Sequence, residues 1–443
     1  MIRILVAFAF VIVSVPAAAR PVQPEGDVAV RLEEALSAAA EHDRFYGAVL
    51  LARDGEVVLR KAYGPIDEAG TRATTGQPYN VGSVGKLFTM ALVLERVEDG
   101  TLSLDDTIAR HLPNSGLPGA QDITIRQLLS HSSGYGDYFS HPDYTLEQRT
   151  LDDFLDLVRT SKVEFAPGKG FAYSNSAFWV LAAILEATDA QDRDWQTIFA
   201  EDVFDRAGME VREFQPDMEY AARPKGFALR PDGTVETTFD DPRPGPDGGW
   251  YTGVDDMLAF DRGLGHGFWF GTALREESER PLTYFPSLGA DVGLVWEIYD
   301  ENGRTYVTKG GTTTGGGAEL VNFRHGKANY TLVMLSNLEN APLNIFRDVL
   351  AYALGDEGAS LPGPAPLVAF YRAATQSRLP GASELKAWAE RHGVTVRPMP
   401  MLMAANALRK KENYDAARSL LDLTLTEYPD NAVAKQLLAA LPE

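Results

Sequence analysis

Two residues that could perform acyl transfer together lie three positions apart at the start of a helix predicted over residues 83–99. Ser83 and Lys86 form a Ser-x-x-Lys pattern, and this spacing places both side chains on one helix face. A serine hydroxyl needs a base to become a nucleophile. A lysine can be that base when desolvation and a neighbouring cation keep it neutral part of the time. Free N–H groups in the first turn also favour a developing oxyanion.

The Ser-x-x-Lys pattern alone is not specific, because the chain contains it twice. Ser383 and Lys386 form the second copy, which we interpret as a helix cap and a surface lysine. The chain has a single Tyr-x-Asn motif, Tyr173 and Asn175, and it follows the first copy. Because the Tyr-x-Asn motif accompanies the first Ser-x-x-Lys pattern and not the second, we expect the site to be at Ser83.

A third motif ends a predicted strand late in the chain. Lys309 and Gly311 form the one Lys-x-Gly in the sequence, and a run rich in glycine and threonine follows it. The ordered set of three motifs resembles the serine β-lactamase and penicillin-recognising family, in particular its class C branch. Residues 123–134 and 248–260 resemble two further stretches of that branch, and the likeness covers about residues 30–355.

The resemblance implies a catalytic role for three residues. Ser83 would attack an acyl carbonyl and become the acyl-enzyme, and Lys86 would take its proton. Tyr173 would protonate the leaving group and then help to activate the deacylating water. This is the chemistry of an acyl hydrolase with a small-molecule or peptide substrate.

The resemblance also implies supporting roles. Asn175 would hold the lysine base and the substrate. Lys309, with Gly311 beside it, would make the electrostatic potential of the site more positive and bind a carboxylate where the substrate has one. The oxyanion hole would consist of the backbone N–H groups of Ser83 and Thr312.

The residue between the lysine and the glycine of the third motif departs from the β-lactamase pattern. That pattern usually has a hydroxyl residue there, which helps to bind the drug's carboxylate, whereas this chain has Gly310. The departure favours esterase, amidase and D-amino-acid peptidase members of the family. We therefore rank a hydrolase of esters or D-amino-acid amides first, with D-alanyl carboxypeptidase and weak β-lactamase activities below it.

A second class of function stays open. The protein could be a weakly catalytic or non-catalytic scaffold that binds penicillin or peptidoglycan, with a tail that recruits a partner; the intact motif set favours the enzyme. Acyl transfer to an acceptor other than water would use the same residues. We interpret His131 as structural. Trp250, Tyr251 and Tyr135 either line the pocket or, as we prefer, pack in the core.

The elements that must position these motifs come from both ends of the chain. Residues 28–45 have helical spacing, and residues 47–62 are predicted as a β-hairpin around Asp54-Gly55. A helical middle follows. Strands return over 294–299, 305–309, 319–323 and 330–335, before a closing helix over 344–354. This order predicts an α+β fold, with an antiparallel sheet flanked by helices and an all-helical lobe.

The C-terminal part of the chain is predicted to be a helical extension. We divide the chain into a signal peptide (1–19), a hydrolase domain (20–356) and this extension (357–443), which follows a Pro/Gly-rich linker. Part of the extension resembles a single tetratricopeptide-type repeat. We expect it to pack against the body; an adaptor surface for a partner protein is the alternative. Its helices are predicted over 367–378, 383–391, 401–411, 414–428 and 431–441.

Composition excludes several chemistries. The chain has no cysteine, so it has no cysteine nucleophile, disulfide or cysteine-ligated metal. The sequence contains neither a paired-histidine zinc signature nor a phosphate-binding loop, and no metal or cofactor is predicted. A formal charge of −21 repels phosphate backbones and anionic lipid, so nucleic acid is not an expected partner.

The N-terminus has the features of a secretory signal. A positive charge at Arg3 precedes an apolar run over residues 4–15, and a small-residue pattern follows before Arg20. The run is too short for a membrane span, although an uncleaved anchor remains the alternative. No later stretch is apolar enough to span a membrane. We expect an exported protein, periplasmic or secreted, without a membrane span once the signal is cleaved.

Overall fold

A central antiparallel sheet organises the computed structural model, which describes residues 27–148, 150–211, 223–238, 244–376, 381–391, 394 and 396–442. The predicted signal at 1–19 lies outside the described residues. The strands in chain order are β1 (Gly47–Arg53), β2 (Glu56–Tyr63), β3 (Tyr79–Asn80), β4 (Gly226–Leu229), β5 (Val235–Thr238), β6 (Tyr251–Thr252), β7 (Thr283–Phe285), β8 (Ala290–Val292), β9 (Glu297–Glu301), β10 (Arg304–Thr313), β11 (Gly316–His325) and β12 (Ala328–Ser336).

The main sheet joins the two ends of the body, as the sequence predicted. Its order is β2-β1-β12-β11-β10-β9-β8-β7, while β3 pairs with β6 and β4 with β5. The predicted hairpin is confirmed: Asp54 and Gly55 both have positive φ, 48° and 83°, as a tight two-residue turn requires. Gly47 then pairs with Ser336, which places the first strand beside the last.

Helices cover both faces of the sheet. Leu32 of the first helix and Phe346 of the last helix of the body lie in the core on one face, confirming both predicted helices. The other face packs against the helical middle of the chain, as Phe88 and Leu320 show. The helices are α1 (Asp27–Glu41), α2 (Lys86–Glu98), α3 (Ile108–His111), α4 (Ile125–Leu129), α5 (Leu151–Thr160), α6 (Ser176–Thr188), α7 (Trp195–Phe199), α8 (Val254–Gly265), α9 (Thr272–Ser278) and α10 (Ala341–Ala353).

Several predicted boundaries were wrong. The strand predicted to end at Lys309 continues as β10 to Thr313, so the third motif lies inside a strand. The helix predicted from residue 83 begins as a 3-10 turn, Gly82–Gly85, and becomes α-helical only at Lys86. The strand predicted over 294–299 starts at Glu297, because Val295 has a positive φ of 71°, which is outside the extended conformation of a strand. None of the helices in the described part of the chain combines the length and apolar character of a membrane span.

The C-terminal extension is helical and contacts the body. Its helices pack around a hydrophobic cluster of their own. Arg397 forms an ion pair with Asp348 of α10 (2.8 Å), and Lys411 pairs with Asp232 in the turn between β4 and β5 (3.2 Å). These contacts favour the expected packing against the body. The helices are α11 (Pro366–Gln376), α12 (Ala382–Arg391), α13 (Pro398–Lys410), α14 (Tyr414–Glu427) and α15 (Ala432–Ala439).

Candidate active site

Ser83 lies on a tight turn that is pressed between two other backbone segments. A side chain at Gly311 of β10 would bring its Cβ to 2.1 Å from the Val81 carbonyl oxygen and 2.9 Å from the Ser83 nitrogen. In a second close contact, a Cβ at Gly248 would lie 2.2 Å from the Gly82 carbonyl oxygen. Only glycine fits at either contact, so the Lys-x-Gly glycine is needed to bring β10 against the serine turn.

Lys86 is fully buried beside the serine and faces three oxygen atoms. Its Nζ lies 3.1 Å from Ser83 Oγ and 2.6 Å from the carbonyl oxygen of Asp247, and it also donates to Asn175 Oδ1. A neutral amine has two N–H bonds and one lone pair. Because Asn175 and Asp247 can accept the two N–H bonds, the lone pair of neutral Lys86 would point at Ser83 Oγ.

The Tyr-x-Asn motif lies at the start of α6 and completes the group. Asn175 Nδ2 donates to Asp137 Oδ2 at 2.8 Å, so this amide connects Lys86 to a partly buried carboxyl group. Two lysine amino groups lie near the Tyr173 ring: Lys86 Nζ is 5.1 Å and Lys309 Nζ 5.5 Å from its centroid. When both amines are protonated, their charges would stabilise negative charge that develops on the phenol.

His131 supports the tyrosine and carries no charge. Its ring stacks on Tyr173 with centroids 4.4 Å apart, and its Nδ1 accepts the backbone N–H of Ser174 at 3.2 Å. Complete burial, and then the charges of Lys86 and Lys309, hold the pKa of His131 well below its usual value. The histidine is therefore a neutral packing partner, in agreement with its interpretation as structural.

Two acids near Lys86, the buried Asp247 and the partly buried Asp137, were not found from the sequence. Burial raises the pKa of Asp247, against the opposing charge of Lys86, and Tyr138 donates its hydroxyl to Asp247 Oδ2 at 2.8 Å. Burial likewise raises the pKa of Asp137. Their positions in the sequence gave the only signal that could have found them. Asp247 directly precedes Gly248, and Asp137 follows the stretch 123–134 that resembles the family.

Lys309 is also buried, and a carboxylate accompanies it. Its Nζ forms an ion pair with Glu297 of β9. Burial is the largest single effect and would lower the pKa of Lys309, but Glu297, Tyr173 and Glu319 together outweigh burial and raise this pKa, so Lys309 is a cation. Glu319 of β11 lies close by, opposite Gly310 in the strand register. Neither glutamate was singled out from the sequence.

The Thr312 amide faces the serine turn. A Cβ at Gly82 would lie 3.0 Å from both the nitrogen and the carbonyl oxygen of Thr312. In an antiparallel strand both groups of one residue point to the same side, so these two point away from β11, towards the open edge of β10. The Ser83 and Thr312 amides are thus close enough to serve one oxyanion.

The remaining sequence candidates lie elsewhere. Lys386 is partly exposed and pairs with Glu427 at 2.7 Å, so it is a surface lysine. Ser383 lies inside the first turn of α12 and does not cap it, which corrects the predicted cap. The buried Trp250 donates to the Gly245 carbonyl oxygen, and Tyr135 donates to that of Pro118; Tyr251 is also buried. All three aromatic residues therefore pack in the interior, as preferred.

The fold and the grouped motifs define a β-lactamase/transpeptidase-like serine hydrolase scaffold, and the comparisons with known proteins agree. The profile of the Beta-lactamase family matches residues 30–354, and the chain belongs to this family. Penicillin-binding protein 4* of Bacillus subtilis (strain 168) is 26% identical over 322 residues, which cover 68% of this chain and 69% of that protein.

Solved structures show the same fold. The octameric penicillin-binding protein homologue from Pyrococcus abyssi superposes with a TM-score of 0.65 at 22% identity, over 79% of this chain and 82% of that one. The D-amino acid amidase from Ochrobactrum anthropi SV3, complexed with L-phenylalanine, gives a TM-score of 0.60 at 19% identity, over 70% and 91%. At these identities the structural likeness concerns the fold alone.

Proposed function

We propose that this protein is an exported serine acyl hydrolase that acts on esters or D-amino-acid amides through an acyl-enzyme on Ser83. The observation that carries the proposal is the distance of 3.1 Å between Lys86 Nζ and Ser83 Oγ inside a buried network. Two fixed acceptors, the Asn175 side chain and the Asp247 carbonyl, orient the amine towards the serine. A nucleophile in contact with an oriented base is the arrangement that acyl transfer needs.

In the proposed acylation, Ser83 Oγ attacks the acyl carbonyl and neutral Lys86 accepts its proton. The oxyanion of the tetrahedral intermediate accepts hydrogen bonds from the Ser83 and Thr312 amides. When the intermediate collapses, Tyr173 gives its phenol proton to the leaving alcohol or amine. The acyl-enzyme then holds a phenolate near two ammonium groups, Lys86 and Lys309.

Deacylation returns both protons to their starting places. Tyr173 phenolate takes a proton from the attacking water, which regenerates the phenol. Lys86 gives its proton back to Ser83 Oγ as the acyl group leaves as a carboxylic acid. The same cycle with an alcohol or amine in place of water would give acyl transfer.

The substrate ranking rests on Gly310, which supplies no hydroxyl to bind a carboxylate. Esters and D-amino-acid amides therefore come first, and D-alanyl carboxypeptidase and weak β-lactamase activities second. The D-amino acid amidase among the structural neighbours acts on a substrate of the preferred kind. Export rests on the apolar leader at 1–19, and we retain 20–356 as the hydrolase unit and 357–443 as the extension.

Turnover of a short-chain nitrophenyl ester by the mature protein tests the proposal. The chain provides its own matched control, because Ser83→Ala and Ser383→Ala make the same change in two Ser-x-x-Lys patterns. We expect Ser83→Ala to abolish turnover and Ser383→Ala to leave it unchanged. No turnover by the wild type, or turnover that survives Ser83→Ala, would instead favour a binding protein with an unused site.

A further inference from the structure

A buried cluster of two glutamates surrounds the lysine of the third motif. Lys309 is 1%, Glu297 3% and Glu319 1% exposed, so all three functional groups are withdrawn from water. Lys309 Nζ pairs with Glu297 Oε1. Within the described part of the chain, Glu297 Oε2 and both carboxyl oxygens of Glu319 have no hydrogen-bond partner.

Gly310 makes room for this cluster. A Cβ at this position would lie 3.0 Å from Glu319 Oε2 and 3.6 Å from Glu297 Oε2. The two carboxyl groups therefore approach one point that a side chain would otherwise occupy. The missing hydroxyl of the third motif and the two buried acids belong to the same arrangement.

The charges within the cluster balance. Burial, with the like charge of Glu297 adding to it, raises the pKa of Glu319 well above its usual value, whereas Lys309 opposes the shift. Glu319 is therefore a neutral acid, and Glu297 is the counter-ion of Lys309. Thr308 and Arg347 also lower the pKa of Glu319, but by less than burial raises it. The Arg347 guanidinium forms its ion pair with Glu301 at 2.8 Å.

We propose that Glu297, packed against Glu319, neutralises Lys309 and makes this site select acyl substrates that have no carboxylate beside the scissile bond. A substrate carboxylate at Lys309 would have to displace Glu297 or add a second anion to a buried site, and both are costly. The inference rests on the proposed function and sharpens its substrate class to uncharged esters and amides. Glu297 is a specificity-determining residue that acts through Lys309.

Two substrates that differ by one charge test the inference. N-acetyl-D-alanyl glycolate carries a free carboxylate next to its ester bond, and its methyl ester does not. We expect wild-type kcat/KM to favour the methyl ester by about tenfold or more, the scale of one unfavourable charge interaction. We expect Glu297→Gln to lower this preference at least tenfold, chiefly by lowering KM for the anionic substrate.

Two control variants distinguish the charge of Glu297 from the effect of removing any other acid near it. Asp300→Asn removes an exposed acid from the same strand, and we expect it to keep the wild-type preference. Glu319→Gln replaces a neutral acid with a neutral amide and should also keep it. If Glu297→Gln does not fold, the wild-type preference still tests the inference, because equal or better use of the anionic substrate overturns it.

The possible failures can be told apart. Equal or better use of the anionic substrate by the wild type, with turnover abolished by Ser83→Ala, would overturn this inference and leave the proposed function intact. An unchanged preference in folded Glu297→Gln would also overturn it. Failure to turn over either substrate, or turnover that survives Ser83→Ala, would overturn the proposed function and this inference with it.

Discussion

A methyl group at Gly311 should disable the site without unfolding the protein. In Gly311→Ala the new Cβ would lie 2.1 Å from the Val81 carbonyl oxygen, whereas carbon and oxygen atoms normally approach no closer than about 3.3 Å. Strand β10 and the serine turn must therefore separate by about 1 Å. Overpacking of this kind costs about 1–3 kcal/mol, which is less than the usual stability of a domain of about 5–15 kcal/mol.

The same separation would move the Thr312 amide away from the Ser83 amide. Loss of one oxyanion donor lowers kcat by about 10²–10³-fold, and we expect a loss of this size in Gly311→Ala. The assay is steady-state hydrolysis of a nitrophenyl ester, with Tm measured on the same samples to confirm folding.

The neighbouring glycine provides the control. In Gly310→Ala the nearest atom is the carboxyl oxygen of Glu319 at 3.0 Å, the end of a flexible side chain, so this variant should retain most of its activity on the neutral ester. A Gly311→Ala enzyme with wild-type kcat would refute the close packing of β10 on the serine turn. Equal losses in both variants would refute the assignment of the oxyanion hole.

Three further predictions concern the base, a buried acid and the extension. Lys86→Ala should lower the acylation rate by about 10²-fold or more and Lys386→Ala should not; rapid-mixing kinetics that found Lys86→Ala near normal would remove this lysine from the role of base. Folded Glu319 keeps a proton that the unfolded chain loses above pH 4.5, so it makes stability fall as pH rises from there, by at most about 1.4 kcal/mol per pH unit. Glu319→Gln should therefore flatten the decline in the free energy of unfolding, measured with denaturant from pH 5 to 8; the same slope as the wild type would show that Glu319 is ionised. Deletion of 357–443 should lower Tm, because it removes ion pairs to the body, and an unchanged Tm would instead favour an adaptor.

Local sequence patterns predicted the elements whose conformation local interactions determine. The Asp54-Gly55 turn and its flanking strands were found because two residues that accept positive φ join two apolar runs. The start of α2 was misplaced because contacts distant in sequence determine the 3-10 turn. Gly311 and Gly248 both contact this turn closely, and neither is a neighbour of Ser83 in the chain.

The motif residues of the site could be predicted, and their charged partners could not. Ser83, Lys86, Tyr173 and Asn175 belong to short patterns, and the structure brings them together. Glu297, by contrast, looks like an ordinary charged residue of a strand. Its role depends on the register of β9 against β10 and on burial, which no local pattern reveals.

Covalent labelling tests the central claim most directly. The mature protein is treated with a fluorophosphonate, which traps activated serines, and the adduct is located by intact mass and peptide mapping. We predict one adduct per chain on Ser83, lost in Ser83→Ala and retained in Ser383→Ala. An adduct on another residue, or none from a protein that still hydrolyses the ester, would contradict the assignment of Ser83 as the nucleophile.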